Sequence, residues 1–118
     1  MKKEHLKYLS FAFIALLCNA TTYAHDFELD GIFYNIKGDE AAVTFKGESS
    51  SDYSNEYYGD VVIPSSVTYE GKTYKVTEIE RYAFNLNYKI NSIVIPNSIT
   101  TIGELAFQKC SGLTSVTI

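Results

Sequence analysis

The chain has 118 residues, 46% of them hydrophobic and 20% charged, with a formal net charge of −4 at neutral pH. This composition excludes collagen-like and disordered chains, and the length fits one small domain. Ten tyrosines and no tryptophan are present, so any aromatic anchor must come from tyrosine or phenylalanine.

The first element is an address label. Lys2, Lys3 and Lys7 precede an apolar run from Tyr8 to Cys18, and Thr22-Tyr23-Ala24 comes next with small residues at the end. Basic, apolar and small-residue parts in that order describe a secretory signal peptide, so residues 1–24 are expected to be cleaved after Ala24. The apolar run is too short to cross a bilayer, which takes about 20 residues. The segment therefore reads as a leader rather than a membrane anchor, and the protein as secreted or cell-surface and not membrane-spanning. Bulky Leu17 before Cys18 argues against a lipid-modified cysteine.

Removing the leader leaves 94 residues with seven Lys and Arg against thirteen Asp and Glu, a net charge of −6. An acidic chain without a basic cluster is a poor partner for nucleic acid or for anionic lipid. Cys110 is the one cysteine of this part, so no internal disulfide forms and packing must hold the fold.

Residues 25–60 read as a β-meander that caps the remainder of the chain. Phe27 to Leu29 and Ile32 to Ile36 are strands around the favoured turn pair Asp30-Gly31, and Ala41 to Phe45 is a third strand after Gly38-Asp39. The serine-rich stretch from Gly47 to Gly59 is the longest expected loop.

From residue 61 the chain carries a repeat. With an offset of 23 residues, Val76 falls on Ile99, Ile79 on Ile102, Ala83-Phe84 on Ala106-Phe107, Ile90 on Leu113, Ile93 on Val116 and Ile95 on Ile118. Alternation in these runs predicts strands with Ile93, Ile95, Val116 and Ile118 on one side and Val94 and Thr117 on the other. The stretches ERYAFN and GELAFQ are expected to form one helical or 3₁₀ turn each, pressing Ala-Phe onto the core. Thr101 and Glu104 have the spacing of a capping box.

The phrase IPNSITTIGELAFQKCSGLTSVTI, residues 95–118, resembles the 23-residue repeat of BspA-like leucine-rich repeat proteins. Residues 76–94 fit more loosely, with Asn87 where Cys110 sits. An earlier VVIPSSV at 61–67 resembles a further repeat start, but Pro64 and Pro96 are 32 apart rather than 23. The excess matches VTYEGKTYKV, read as a hairpin inserted near 67–76 around Glu70-Gly71. The fold implied is mainly β with short helical turns: an N-terminal β-meander cap over 25–60, then a short leucine-rich repeat solenoid over 61–118.

The inventory argues against an enzyme. His25 is the sole histidine after the leader, Cys110 sits at a repeat position expected to be structural, and zinc would need more Cys or His ligands. Asp26, Glu28 and Asp30 are acids on alternate residues of a strand and read as its solvent face rather than a calcium site. Glu78 and Glu80 read as surface, and no phosphate-cradling glycine loop occurs. No cofactor is expected.

Binding is the better hypothesis, on two candidate surfaces. The first is the outward face of adjacent repeat strands, Asn91, Ser92 and Val94 beside Thr114, Ser115 and Thr117. The second is the tyrosine group Tyr53, Tyr57 and Tyr58, whose rings and hydroxyls suit a protein partner or a sugar, or else cover the core of the cap. The resemblance implies adhesion to host or matrix proteins; a glycan-binding module and a structural spacer are the rivals. The last repeat leaves Phe107, Leu113, Val116 and Ile118 without a following neighbour, so a longer repeat protein or self-association through that end is also expected.

Overall fold

The computed structural model describes residues 25–47 and 56–118; the expected signal peptide and Tyr53 lie outside the described residues. Among the described residues the chain forms strands and turns and no helix.

The first strands are a meander. Strands β1 (Phe27–Leu29) and β2 (Ile32–Lys37) pair antiparallel with Phe27 opposite Tyr34. Asp30 and Gly31 join them with φ of 52° and 83°, both left-handed, as a type I′ turn requires and as the Asp-Gly pair anticipates. Strand β3 (Glu40–Thr44) pairs antiparallel with β2. Its Ala41, Ala42, Val43 and Thr44 are all buried, and two alanines let neighbouring elements approach both faces.

Strand β4 (Gly59–Val62) is followed by a hairpin of β5 (Ser66–Tyr69) and β6 (Lys72–Ile79) around Glu70 and Gly71, whose φ values of 51° and 82° repeat the type I′ pattern. Strands β7 (Ile90–Val94), β8 (Thr101–Ile102) and β9 (Ser115–Thr117) complete the chain. One sheet has the order β1-β2-β3-β6-β5 with β8 also on β6, and the other has the order β4-β7-β9.

The repeat is written into the hydrogen-bond register. Ser92 pairs with Ser115 and Val94 with Thr117, while Glu78 pairs with Thr101 and Ile79 with Ile102, all parallel and all 23 residues apart. Val61 pairs with Ile93 and Val62 with Val94 at an offset of 32. The hairpin accounts for the difference. Along one edge β6 first pairs with β5 and then with β8, so the inserted hairpin gives way to the next repeat. Its other edge pairs parallel with β3 and joins the meander to the repeats.

The short helical turns expected at ERYAFN and GELAFQ do not form. Tyr82, Leu86, Leu105 and Lys109 take left-handed φ values of 59° to 63°, which no helix permits. The amides of Ala83, Asn85 and Asn87 donate to the carbonyls of Glu80, Tyr82 and Phe84, three residues back. Those of Tyr82, Phe84 and Leu86 donate to Glu104, Ala106 and Gln108 of the next repeat. Alternate amides thus close turns and bond to the neighbouring repeat, whereas a helix would direct every bond along its own axis. The Thr101 and Glu104 capping box has no helix to cap: Thr101 is a strand residue, and Glu104 faces Arg81 at 3.9 Å.

One hydrophobic core runs between the sheets, from Phe27, Phe33 and Tyr34 through Val76, Ile79 and Phe84 to Ile90, Ile93 and Ile95. Phe84 stacks on Phe107 of the next repeat with ring centroids 5.3 Å apart. Burial then falls: Phe107 and Leu113 are half-buried, while Val116 and Ile118 are 49% and 83% exposed. Val116 pairs with buried Ile93 and shares its side of the sheet, as read from the alternation; Val116 and Ile118 stay exposed because no described element packs over this last repeat.

Candidate interaction surfaces

Parallel pairing builds the first surface. Since Cβ atoms alternate along a strand, the register sets Asp60, Ser92 and Ser115 in one row across β4, β7 and β9, and Val62, Val94 and Thr117 in the next. The Ser92 hydroxyl donates to Asp60 Oδ1 at 2.7 Å, which ties the first two members of the polar row. Thr114 donates both its amide, at 2.9 Å, and its hydroxyl, at 3.2 Å, to the carbonyl of Asn91, so Asn91 and Thr114 fasten two repeats at the start of the rows. Asn91, Val94, Thr114, Ser115 and Thr117 are exposed and Ser92 is half-buried. Asp60 and Val62 share these rows and were missed as surface residues. The signal that finds them is the likeness of VVIP at 61–64 to IVIP at 93–96.

The tyrosine group divides. Tyr58 is 73% exposed, but Tyr57 is only 3% exposed and cannot meet a partner. The Tyr57 hydroxyl donates to the Thr44 carbonyl at 2.6 Å and accepts from the Phe33 amide at 3.1 Å. Its ring packs against Phe33 and Phe84, with centroids 5.5 and 4.6 Å apart. Burial holds this phenol well above its ordinary pKa. Tyr57 is thus a core residue tying meander to repeat, which is the covering role rather than the binding one.

Tyr58 stands at the rim of a concavity of about 380 Å³ between the β1–β2 hairpin and β4, also lined by Glu28, Asp30, Glu56 and Asp60. Burial raises the Glu56 carboxyl, opposed by its 2.9 Å bond from the Lys46 amide.

The residues weighed for chemistry are placed separately. His25 Nδ1 lies 2.9 Å from the Lys46 carbonyl, and its ring meets Phe33 edge-on. Cys110 Sγ donates to the Phe84 carbonyl at 2.9 Å, and burial pushes its thiol pKa up, away from nucleophilic character. Lys37 bridges Glu78 and Glu80 at 3.3 and 3.0 Å. Asp26 Oδ2 accepts from the Ile36 amide. Among the described residues no three His, Cys, Asp or Glu side chains gather as a metal site would require, and no helix is long and apolar enough to cross a membrane.

A family model described as "BspA type Leucine rich repeat region (6 copies)" matches residues 64–118. Those residues are a BspA-type leucine-rich repeat region. Solved structures place this region among bacterial relatives. A leucine-rich repeat protein from Bacteroides ovatus is 33% identical with a TM-score of 0.67, over 80% of this chain and 24% of that one. One from Bacteroides capillosus is 29% identical with a TM-score of 0.62, over 77% of this chain and 63% of that one. A leucine rich cell surface protein from Faecalibacterium prausnitzii is 26% identical with a TM-score of 0.61, over 78% of this chain and 23% of that one. The chain thus spans about a quarter of the length of the first and third. No curated protein matches. The BspA-type match begins at Pro64, so it covers the hairpin and the repeats.

Proposed function

We propose that this is a secreted or cell-surface leucine-rich repeat protein that binds protein partners, in adhesion to host or matrix proteins, through the face of β4, β7 and β9. In this reading residues 1–24 are a cleaved signal peptide, 25–60 a β cap, and 61–118, with the hairpin near 67–76, a short leucine-rich repeat solenoid. The observation that carries it is the register: two rows of short side chains, one polar and one β-branched, all exposed but half-buried Ser92, lie in line across three parallel strands. Such a flat face, with little side-chain entropy to lose, suits a broad protein surface. The name of the Faecalibacterium prausnitzii relative, a cell surface protein, supports the location. Scaffolds of this kind are read as binding rather than catalytic, although fold alone does not fix activity.

The test is capture of the full chain on immobilised matrix proteins, compared with a Val94→Glu, Thr117→Glu variant. Loss of capture in the variant, with an unchanged melt, supports the face. Equal capture by parent and variant removes it. A second reading, glycan binding, draws on exposed Tyr58 beside the acidic concavity. On a glycan array it predicts signal that Tyr58→Ala abolishes and the face variant leaves intact.

A further inference from the structure

We infer that the free edge of β4 is a strand-addition site for an extended, basic peptide segment, a second surface that adjoins the sheet face above at Asp60 and Val62. Strand β4 ends its sheet, since the order is β4-β7-β9 and no described strand pairs with its other side. In a parallel ladder alternate residues bond to a given neighbour. Gly59 donates to the Lys89 carbonyl at 2.8 Å and Ile63 to the Val94 carbonyl at 3.0 Å, so Val61 shares that side. The amides and carbonyls of Asp60 and Val62 consequently point away from β7, toward the free edge.

That edge opens into a groove, not onto a flat, protected margin. Two concavities of about 380 and 320 Å³ adjoin there, sharing Asp30, Ile32 and Val62 as lining. Natural proteins blunt free edges with lysine, proline, a bulge or a covering element; β4 has a register shift between Gly59 and Asp60 at its start, but neither a lysine nor a proline occurs within Gly59–Val62. Instead Val62, 62% exposed, stands on the edge strand itself. An extended segment entering the groove would gain main-chain bonds from Asp60 and Val62, with side-chain selection by the groove walls.

Charge fixes the chemistry of the occupant. Among the described residues, Glu28, Asp30, Glu56 and Asp60 line the larger concavity and no Lys, Arg or His does. A segment bearing lysine or arginine on alternate residues meets carboxylates on one side and the Tyr58 ring at the rim, where a cation also gains from the aromatic face. An acidic strand is repelled by the same groups.

The probe is a dye-labelled hexapeptide alternating lysine and valine, titrated against the full chain at low salt and followed by fluorescence anisotropy. Saturable binding is expected, at least tenfold weaker for the paired variant Glu28→Gln, Asp30→Asn, and absent for Val62→Pro. That proline removes an edge amide while sparing the ladder to β7, a position at which an edge strand accepts proline. Hydrogen exchange at the Asp60 and Val62 amides is expected to be fast in the free chain and slowed by the peptide. Four outcomes overturn the inference. They are no binding, equal binding of a glutamate-valine peptide, binding unchanged in both variants, and an edge already occupied. Occupation would show as protection of both amides in the free chain, by residues 48–55, or as a dimer in sedimentation that Val62→Pro dissolves, by a second copy.

Discussion

The main-chain amide of Tyr57 donates to Oδ1 of Asn87 at 2.8 Å, so the residue entering β4 is held by a side chain from the first repeat turn. Asn87 also donates through Nδ2 to the Asn85 carbonyl at 3.0 Å, and its side chain is fully buried. One amide therefore satisfies a donor and an acceptor that have no water to turn to. Cys110 occupies the equivalent place one repeat later, and a thiol donates to the Phe84 carbonyl there. Replacing Asn87 by cysteine keeps a weak donor but loses the acceptor. Asn87→Cys and Asn87→Ala should each cost about 1–3 kcal/mol, the usual penalty for stranding a buried polar group, read as a lower midpoint in urea unfolding. An unchanged midpoint would show that the Tyr57 amide finds another acceptor.

Tyr57→Phe keeps the ring between Phe33 and Phe84 and removes the hydroxyl that joins β2 to β3. The Phe33 amide loses its partner, so about 1–3 kcal/mol of destabilisation is expected, whereas Tyr57→Ala should cost about 3–5 kcal/mol through the added cavity.

Alkaline pH tests the same phenol. Burial raises Tyr57, and burial with the Asp30 charge raises Tyr34. A group whose folded pKa lies above its unfolded value contributes stability that is complete below the unfolded value, about 10 for tyrosine. That stability is lost as pH rises through the folded value. Phenolate absorbance should accordingly lag in the folded chain and appear with unfolding above about pH 10, and the loss should be shallower in Tyr57→Phe. Full ionisation of every tyrosine without loss of structure would contradict this.

Close approach between repeats makes a separate prediction. A Cβ built on Gly103 would lie 2.3 Å from the Arg81 amide nitrogen, a main-chain atom that cannot swing aside. The Gly103 amide itself donates to the Ile79 carbonyl at 2.7 Å, so the contact belongs to the β6–β8 ladder. Gly103→Ala should cost about 1–3 kcal/mol, the range for overpacking, with faster hydrogen exchange in residues 99–118 than in β1 to β3. Uniform exchange across the chain would show that the strain spreads.

The bridge from Lys37 to Glu78 and Glu80 should matter little. Lys37 is about half exposed, and surface ion pairs contribute below about 1 kcal/mol and weaken with salt. Lys37→Met should lower the melting midpoint slightly at low ionic strength and not measurably at high.

Much of the architecture is legible in the residues because parallel pairing obeys a fixed offset. Ile93 over Val116 and Ile79 over Ile102 are alignments of letters that become hydrogen-bonded neighbours, and the 32-residue step from Val62 to Val94 reveals the inserted hairpin. Asp30-Gly31 and Glu70-Gly71 declare their turns. What misleads is local spacing. Ala-Phe four residues after an isoleucine looks helical, but the decisive bonds from Tyr82, Phe84 and Leu86 go to another repeat, which no local window contains. Tyr57 reads as a loop tyrosine because it precedes the repeat and shares none of its period; its ring is covered by Phe33 and Phe84, and its amide is held by Asn87, 30 residues away. Asp60 and Val62 escaped as surface residues because the hairpin moves their row partners out of the regular step.

The constant offset also bears on the order in which the molecule can be assembled. Laying β8 onto β6 or β9 onto β7 closes a loop of one 23-residue repeat, so the entropy of closure is the same for both and does not grow with chain length. The meander completes its pairing before residue 47, well ahead of the ladders. A chain emerging from its N-terminus therefore meets a finished template first and adds each turn to the one just made, so folding can keep pace with delivery without holding distant partners in waiting.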